Sequence, residues 1–349
     1  MANEGTRETW AATGRLPEGL IYPELVHSGM SETLVQNTDA FNAASLNTIR
    51  QVTARRMGDF VQESFFKNVS NLISRRQVNV SPTNPDVSAS EIPKEEHISV
   101  KLNRRVGPID QSYDSFRKLG QSADLEVISF TLGEQIAKAI QIDWLESGLT
   151  AVTAALENQA DVYTNFTGSP DRTMTTDFLV QTLAQFGDAA SRVRLWVMHS
   201  KVYYDLVRNQ IASNIDGTSN FNIATATPVT LNRPVLVTDS AALIRDADTG
   251  EASPIASEPQ YVTLGLSEDA LVLEDSEEEM LYSDVITGKE NIVARLQGEF
   301  AYNVKCKGFK WDTANGGVNP DNTALATGTN WDAVMDSFKD FAGVAAETS

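Results

Sequence analysis

Between Asp124 and Asn158 apolar residues recur every third or fourth position: Ile128, Leu132, Ile136, Ala139, Ile142, Leu145, Leu149, Val152 and Leu156. That spacing stacks them on one side of a helix. Trp144, Ala151 and Ala155 widen the stripe, while Glu134, Lys138, Gln141 and Glu157 lie off it. Asp124 is placed to cap the first turn, because its carboxylate can accept from free N–H groups. Asn158 tolerates the left-handed backbone that ends a helix. At ~1.5 Å per residue the predicted helix runs about 50 Å, longer than a ~30 Å domain is wide. It reads as a spine joining two lobes. A break at Gly133 or Gly148 is the alternative, since each glycine costs ~1 kcal/mol against alanine.

Before the spine the pattern is weaker. Met1 to Gly29 is rich in glycine and proline and reads as an arm that needs something else to lie on. Within it, IYPEL is an extended, partly apolar segment. Ser31 or Thr33 can open a short helix, and Ala40 to Val52 looks helical or mixed. Asp59 to Ile73 reads as a poorly patterned helix. Arg75 to Val80 alternates as a strand, and HISVKLNRRV alternates again with Ile98, Val100 and Leu102 on one face. The proline-rich stretch between them makes Arg75 to Val106 a projecting hairpin, mobile or packed on another subunit. Ser112 to Leu119 is a short helix stopped by Gly120.

After the spine, Tyr163 to Asp171 is a turn. Thr175 or Thr176 caps a helix with Phe178, Leu179, Leu183 and Phe186 on its apolar face. Val193 to Ser200 is a buried strand, and Ser200 caps a helix whose Tyr203, Leu206, Val207 and Ile211 face inward. Asn232 to Ser240 is a second buried strand, and Arg245 to Gln260 a polar excursion. YVTLGL and ALVLEDS are strands, Asp284 to Glu290 a turn, and NIVARLQGEFAYNVKCKGFKWD a long alternating stretch. In the tail, Trp331 to Phe341 is predicted helical, with Trp331, Val334 and Phe338 on one side. This order describes an α+β fold without an internal repeat.

Composition narrows the function. The 349 residues suffice for two or three cores. No apolar run approaches the ~18 residues of a membrane span, and the polar start lacks the apolar core of a signal peptide, so the protein is expected to stay in the cytoplasm where it is made. The single Cys306 cannot form an intramolecular disulfide. The net charge of −19 lies wholly after Gly120: the first 120 residues balance, and the remainder carries the excess of acid. A uniformly basic nucleic-acid binder is excluded. Arg50, Arg55, Arg56, Arg75, Arg76, Arg104 and Arg105 can meet acidic surface on a neighbouring copy.

Catalytic chemistry finds no anchor. His27, His97 and His199 are far apart and lack ligand-spaced partners, so neither a metal site nor a cofactor is implied. His199 beside Ser200 is better explained by a helix cap than by a catalytic pair. Glu290 and Ser283 spoil a phosphate loop at Gly288-Lys289. Asp246, Asp248 and Gly250 approach a calcium loop, but Glu251 stands where glycine is required and Glu258 is one residue late. Glu274, Asp275, Glu277, Glu278 and Glu279 read as a solvated acidic turn.

Three stretches carry a resemblance: WVMHSKVYYDLVRNQ (Trp196 to Gln210), RPVLVTDS (Arg233 to Ser240) and NPDNTALATGTNW (Asn319 to Trp331). Together they resemble the major capsid proteins of tailed bacteriophages. The resemblance implies an HK-ninety-seven-like shell fold with an N-terminal arm, an extended β-hairpin loop, a long spine helix, and peripheral and axial domains. On this chain the arm is 1–58, and the extended loop and peripheral domain occupy 59–192 with the spine at 124–158. The axial domain is 194–243, return strands fill 244–312, and 313–349 is a C-terminal tail. The resemblance also implies many copies of the chain, packaged double-stranded DNA bound without sequence specificity, and portal, scaffolding and decoration proteins. Little room exists for a scaffolding segment before Ile21, so scaffolding is expected as a separate protein. Some relatives join a loop lysine to an asparagine; Lys94 and Lys101 are available, but the sequence gives no basis for that chemistry. The alternatives are a bacterial cargo-compartment shell and an acidic metal-dependent hydrolase using Asp246, Asp248 or Glu277 to Glu279.

Overall fold

The computed structural model describes residues 22–53, 58–67, 69, 72–73, 75, 89, 91–112, 125–168, 172–216, 230–246, 259–276, 280–288 and 290–349. Helix α1 (Pro23–Ala44) lies along α2 (Leu125–Glu157), which is one unbroken 33-residue helix. Asp124, its expected cap, lies outside the described residues.

Neither spine glycine breaks the helix; both admit a neighbour. A Cβ on Gly133 would stand 2.2 Å from the Val26 carbonyl oxygen, and one on Gly29 2.6 Å from that of Phe130. The two helices therefore meet backbone to backbone. Gly148 instead admits a side chain of the neighbouring sheet: a Cβ there would stand 2.5 Å from Leu271 Cδ2. These contacts set which face is buried. Ser129, Gly133, Ile136, Ala137, Ile140, Trp144, Ser147 and Gly148 face inward, whereas Ala139 is exposed and Ile142 is 65% exposed. The expected stripe is thus rotated by about one residue over its first half. Small residues bury best where helices touch, and periodicity of large residues does not register them.

The arm expectation changes too. Its described part lies on its own spine: the Tyr22 amide donates to Ser129 Oγ at 3.2 Å, and Asn37 Nδ2 to Gln141 Oε1 at 3.1 Å. α1 opens at Pro23 rather than at Ser31 or Thr33, since proline's fixed φ suits the first helical position and its missing N–H needs no partner there. It ends at Ala44, and Leu46 and Asn47, both at positive φ, turn the chain into β1 (Ile49–Thr53).

Asp59 to Ile73 is not a helix. It contains β2 (Phe60–Phe66), whose exposure alternates residue by residue, the period of a strand. β2 pairs antiparallel with β3 (Lys94–Ser112), from Phe60 opposite Val100 to Phe66 opposite Lys94. The hairpin's first strand therefore precedes the expected Arg75 to Val80, of which 76–80 lie outside the described residues, as does most of the expected helix after Ser112.

Beyond the spine, β4 (Tyr163–Asn165) occupies part of the expected turn. Thr175 caps α3 (Thr176–Ala184), its hydroxyl accepting from the Phe178 amide. β5 (Val193–Met198) is buried as expected. In α4 (Ser200–Asp216), Val202 and Leu206 are buried while Tyr203 and Val207 are half-buried. β6 (Val235–Val237) is an edge strand and only partly covered, contrary to the buried strand expected at Asn232 to Ser240. β7 (Ile244–Asp246), β8 (Pro259–Ser267) and β9 (Leu271–Asp275) follow. β10 (Met280–Ile286) takes up Asp284 to Ile286, which read as a turn because the strand's exposed side is polar. β11 (Val293–Cys306) and β12 (Phe309–Trp311) make the long alternating stretch. The tail forms α5 (Asn322–Ala326) and β13 (Trp331–Ala333), with a 3-10 turn at Phe338–Asp340 and then β14 (Gly343–Thr348). The helix expected at Trp331 to Phe341 is absent because Trp331 pairs with Trp311 across strands instead.

Among the described residues two six-stranded sheets hold all these strands but β12 and β13, which pair with each other in a sheet of two. One runs β1-β9-β11-β3-β2 with β10 on β11; the other runs β4-β14-β8-β5-β6 with β7 on β8. The last turns of α2, from Leu149 to Leu156, are nearly buried all round, apart from half-covered Thr150.

Candidate functional site: the joint of hairpin, spine and tail

The hairpin strand β3 is tied to the spine by a charged knot. Arg104 Nε donates to Asp143 Oδ2 at 3.0 Å, and its Nη2 to Ser147 Oγ and Asn322 Oδ1, each at 3.0 Å. The Tyr302 hydroxyl, from β11, donates to the same Asp143 oxygen at 2.7 Å. Burial, then the Asp143 charge, pushes that hydroxyl far above its ordinary value, so it stays a donor. One arginine thereby connects hairpin, spine and tail helix.

The tail motif supplies the other half of the joint. Asn319, at φ 52°, accepts from the Asn103 amide at 2.9 Å through its side chain. Asp321 caps α5 by accepting from the Ala324 amide at 2.7 Å. Asn330 Nδ2 and Trp331 Nε1 donate back to the carbonyls of Ala324 and Leu325 at 2.9 and 3.1 Å. A Cβ on Gly328 would stand 2.9 Å from the Ala154 carbonyl oxygen, so this glycine seats the tail on the spine.

Ion pairs fix the hairpin's root. Lys67 reaches Asp336 at 3.2 Å and Glu95 at 3.5 Å, and Lys310 reaches Glu95 at 3.3 Å. Lys305 pairs with Glu63. Between them His97 is buried, with Nε2 3.1 Å from the Cys306 carbonyl oxygen. A carbonyl only accepts, so Nε2 carries the proton. Burial, helped by Lys305 and opposed by that carbonyl and Glu63, holds the imidazole below its ordinary 6.5. The folded chain thus keeps His97 neutral while the unfolded chain takes a proton below that value. Stability should fall as pH drops through about 6.5, by at most ~1.4 kcal/mol per pH unit for one proton. His97→Gln retains an N–H donor and should flatten that slope, read from urea midpoints across the acid range. His199 is also held low by burial, so a smaller slope remains.

At the far end of the spine, Glu157 receives Arg245 in a bidentate pair at 3.0 and 3.0 to 3.1 Å. Beside it Glu347, buried on β14, accepts from the Tyr163 hydroxyl and from Asn165 Nδ2 at 2.6 Å.

The three histidines lie on separate elements. His27 is exposed on α1, His97 lies in the hairpin root, and His199 Nδ1 accepts from the Lys201 amide at 3.2 Å. His199, rather than Ser200, thus supplies a side-chain acceptor at the start of α4. Asp248, Gly250, Glu277 to Glu279 and Lys289 lie outside the described residues. Among the described residues no group of three or more His, Cys, Asp or Glu is arranged to hold a metal ion, and no helix is long and apolar enough to cross a membrane. Sequence reading missed Arg104–Asp143 and Arg245–Glu157, since nothing in the local pattern around an arginine in a strand names its partner.

The described chain is thus built on one long helix, with α1 along it, a hairpin rooted at its side and strands of both large sheets around it. The structure is similar to the capsid asymmetric unit of cyanophage Pam1, with a TM-score of 0.50 at 10% identity over 86% of this chain and 88% of that one. It is also similar to the capsid of Ralstonia phage GP4 (TM-score 0.49, 12% identity, 86% and 87% covered) and to that of Myoviridae phage XM1 (0.45, 13%, 87% and 90%). No curated protein matches the sequence. The Gp13-like family model, major capsid protein 13-like, matches residues 20–345, and the chain belongs to that family. It is a structural subunit of a phage capsid.

Proposed function

We infer that the chain self-assembles into hexamers and pentamers of an icosahedral, HK-ninety-seven-like shell enclosing double-stranded DNA. The observation that carries this is apolar surface on the protruding parts. Phe66, Leu72, Ile73 and Ile92 are exposed around the hairpin root, Ile73 by 95%, and Met280 and Tyr282 are exposed on β10. Apolar side chains gathered on protruding parts favour burial against neighbouring copies. The arm (1–58), loop and peripheral domain (59–192), axial domain (194–243), return strands (244–312) and tail (313–349) divide the work of contact in this reading. It makes the chain a container rather than a catalyst, assembled in the host bacterial cytoplasm with separate scaffolding, portal and decoration proteins. With the acidic face pointing inward, the acid excess after Gly120 would keep DNA from adhering to the wall. Membership of a capsid family favours neither the cargo compartment nor the hydrolase.

Electron microscopy of the purified chain, with scaffolding protein supplied, tests this. Closed particles are expected, and Ile73→Asp should leave a folded subunit that no longer closes. A wild-type chain that stays a monomer or dimer with scaffold present overturns the reading.

A further inference from the structure

The turn after β12 contains the chain's single Asn-Gly pair, Asn315-Gly316. Such a pair is prone to succinimide formation, because a glycine, lacking a Cβ, lets its nitrogen approach the asparagine side-chain carbon. Here Asp312 holds both reacting groups. Its Oδ2 accepts from Asn315 Nδ2 at 2.5 Å, and its Oδ1 from the Ala314 and Asn315 amides at 2.9 and 3.4 Å. Its main-chain carbonyl accepts from the Gly316 amide at 2.8 Å and closes an α-turn. The electron pair that would attack lies along the Gly316 N–H direction. That direction points at the Asp312 carbonyl and not at Asn315 Cγ. The Ala314 amide, then the Asn315 side chain and amide, hold the Asp312 carboxyl below its ordinary value. It stays ionised and opposes a second negative charge on the Gly316 nitrogen. Gly316 is itself buried: a Cβ there would stand 2.1 Å from the ring of Trp311, whose Nε1 donates to the Gly317 carbonyl at 2.9 Å.

We propose that Asn315-Gly316 is a latent deamidation site that Asp312 keeps closed while the tail is seated, and that its reaction in a released tail prevents reseating. In the released chain, hydroxide takes the Gly316 amide proton and the nitrogen attacks Asn315 Cγ. The N–Cγ bond forms and the Cγ–Nδ2 bond breaks. Nδ2 takes a proton from water, which regenerates the hydroxide, and leaves as ammonia. Water then adds to either carbonyl of the cyclic imide, giving aspartate or isoaspartate. The net change is one ammonia lost and one water gained, with no electron transferred. Neither product suits the seated turn. Both place a second carboxylate where that of Asp312 already stands, and like charges at hydrogen-bond range repel. Isoaspartate also lengthens the main chain by one carbon beside Gly316, where Trp311 leaves no room. Asp312 is a positioning residue in this scheme, and a chain that lingers with its tail open is marked for good.

Peptide mapping of the full chain, aged at mildly alkaline pH, decides the matter. Trypsin releases Trp311 to Lys339, and tandem spectra locate the converted residue. Asn319 precedes Pro320, which has no N–H to attack with, and serves as a silent control in the same peptide. In the folded wild type Asn315 should convert about tenfold more slowly than in the same chain held in guanidinium, and Asp312→Ala should remove most of that difference. Asp312→Asn keeps an acceptor and loses the charge; its rate should fall between the two, and it serves if Asp312→Ala does not fold. Wild-type chain converted in guanidinium and then refolded should have a lower urea midpoint than unconverted chain refolded alongside it. Equal rates in the folded and the unfolded wild type overturn the proposal, and so do Asp312 variants that convert no faster than the folded wild type. A converted chain that regains the unconverted midpoint overturns the one-way step.

Discussion

Replacing Arg245 by alanine should destabilise the subunit by about 3 to 5 kcal/mol, the range for breaking a buried ion pair from one side. Arg245 is 4% exposed, and besides Glu157 its guanidinium donates to the carbonyls of Ala242 and Ile244, at 2.9 and 3.1 Å. Its removal strands a carboxylate at the foot of the spine. Burial already raises the Glu157 carboxyl above its ordinary value; Arg245 opposes that shift, and the Glu347 charge adds to it. Without the arginine the folded state should hold the Glu157 proton still more tightly. A folded pKa above the unfolded one means that stability falls as pH rises from the ordinary 4.5 through the folded value. The deficit of Arg245→Ala should therefore be greater at neutral pH than in mild acid, and Arg245→Met with Glu157→Gln should recover most of it. Denaturant midpoints of the wild type and the two variants measure this. An equal deficit at both pH values would refute the stranded-carboxylate account.

Trp331→Ala should cost a similar ~3 to 5 kcal/mol for the lost aromatic volume. Its ring meets Trp311 edge to face at 5.0 Å and 69°, its Nε1 holds the Leu325 carbonyl, and it is 1% exposed. The pair closes the tail over β12, where a Cβ on Gly316 would stand 2.1 Å from the Trp311 ring, so no bulk from that side can refill the gap. Trp331→Phe keeps a ring and loses the N–H, and should cost less than half as much. If alanine and phenylalanine were equally harmful, the hydrogen bond and not the packing would hold the tail.

The two substitutions also separate what sequence can announce from what it cannot. The tail motif was legible as a motif because its residues are close in the chain: Asp321 caps, Asn330 and Trp331 reach back six residues. Arg245 gave no signal, because Glu157 is 88 residues away and ordinary helix letters surround it. The same distinction explains the tail helix that failed. Trp331, Val334 and Phe338 have helical spacing, yet cross-strand pairing with Trp311 outweighs local propensity, which is worth only tenths of a kcal/mol per residue. Asp59 to Ile73 failed for the related reason that β2 acquires its alternation only by pairing with β3.

By itself the sequence determined the long helix, the mixed α+β order, the strands with continuous or alternating apolar character, and a resemblance to phage capsid subunits. These depend on periodicities a few residues long, which local stereochemistry converts directly into elements. Tertiary structure alone decided which side of the spine is buried, that α1 lies along it, which strand completes the hairpin and which charges pair. Those outcomes turn on backbone approaches at Gly29 and Gly133, on leucine side chains seated against Gly148, and on partners tens to hundreds of residues apart. Only the folded chain brings such groups within ångströms, and at that range close packing selects among arrangements that the linear pattern leaves equivalent.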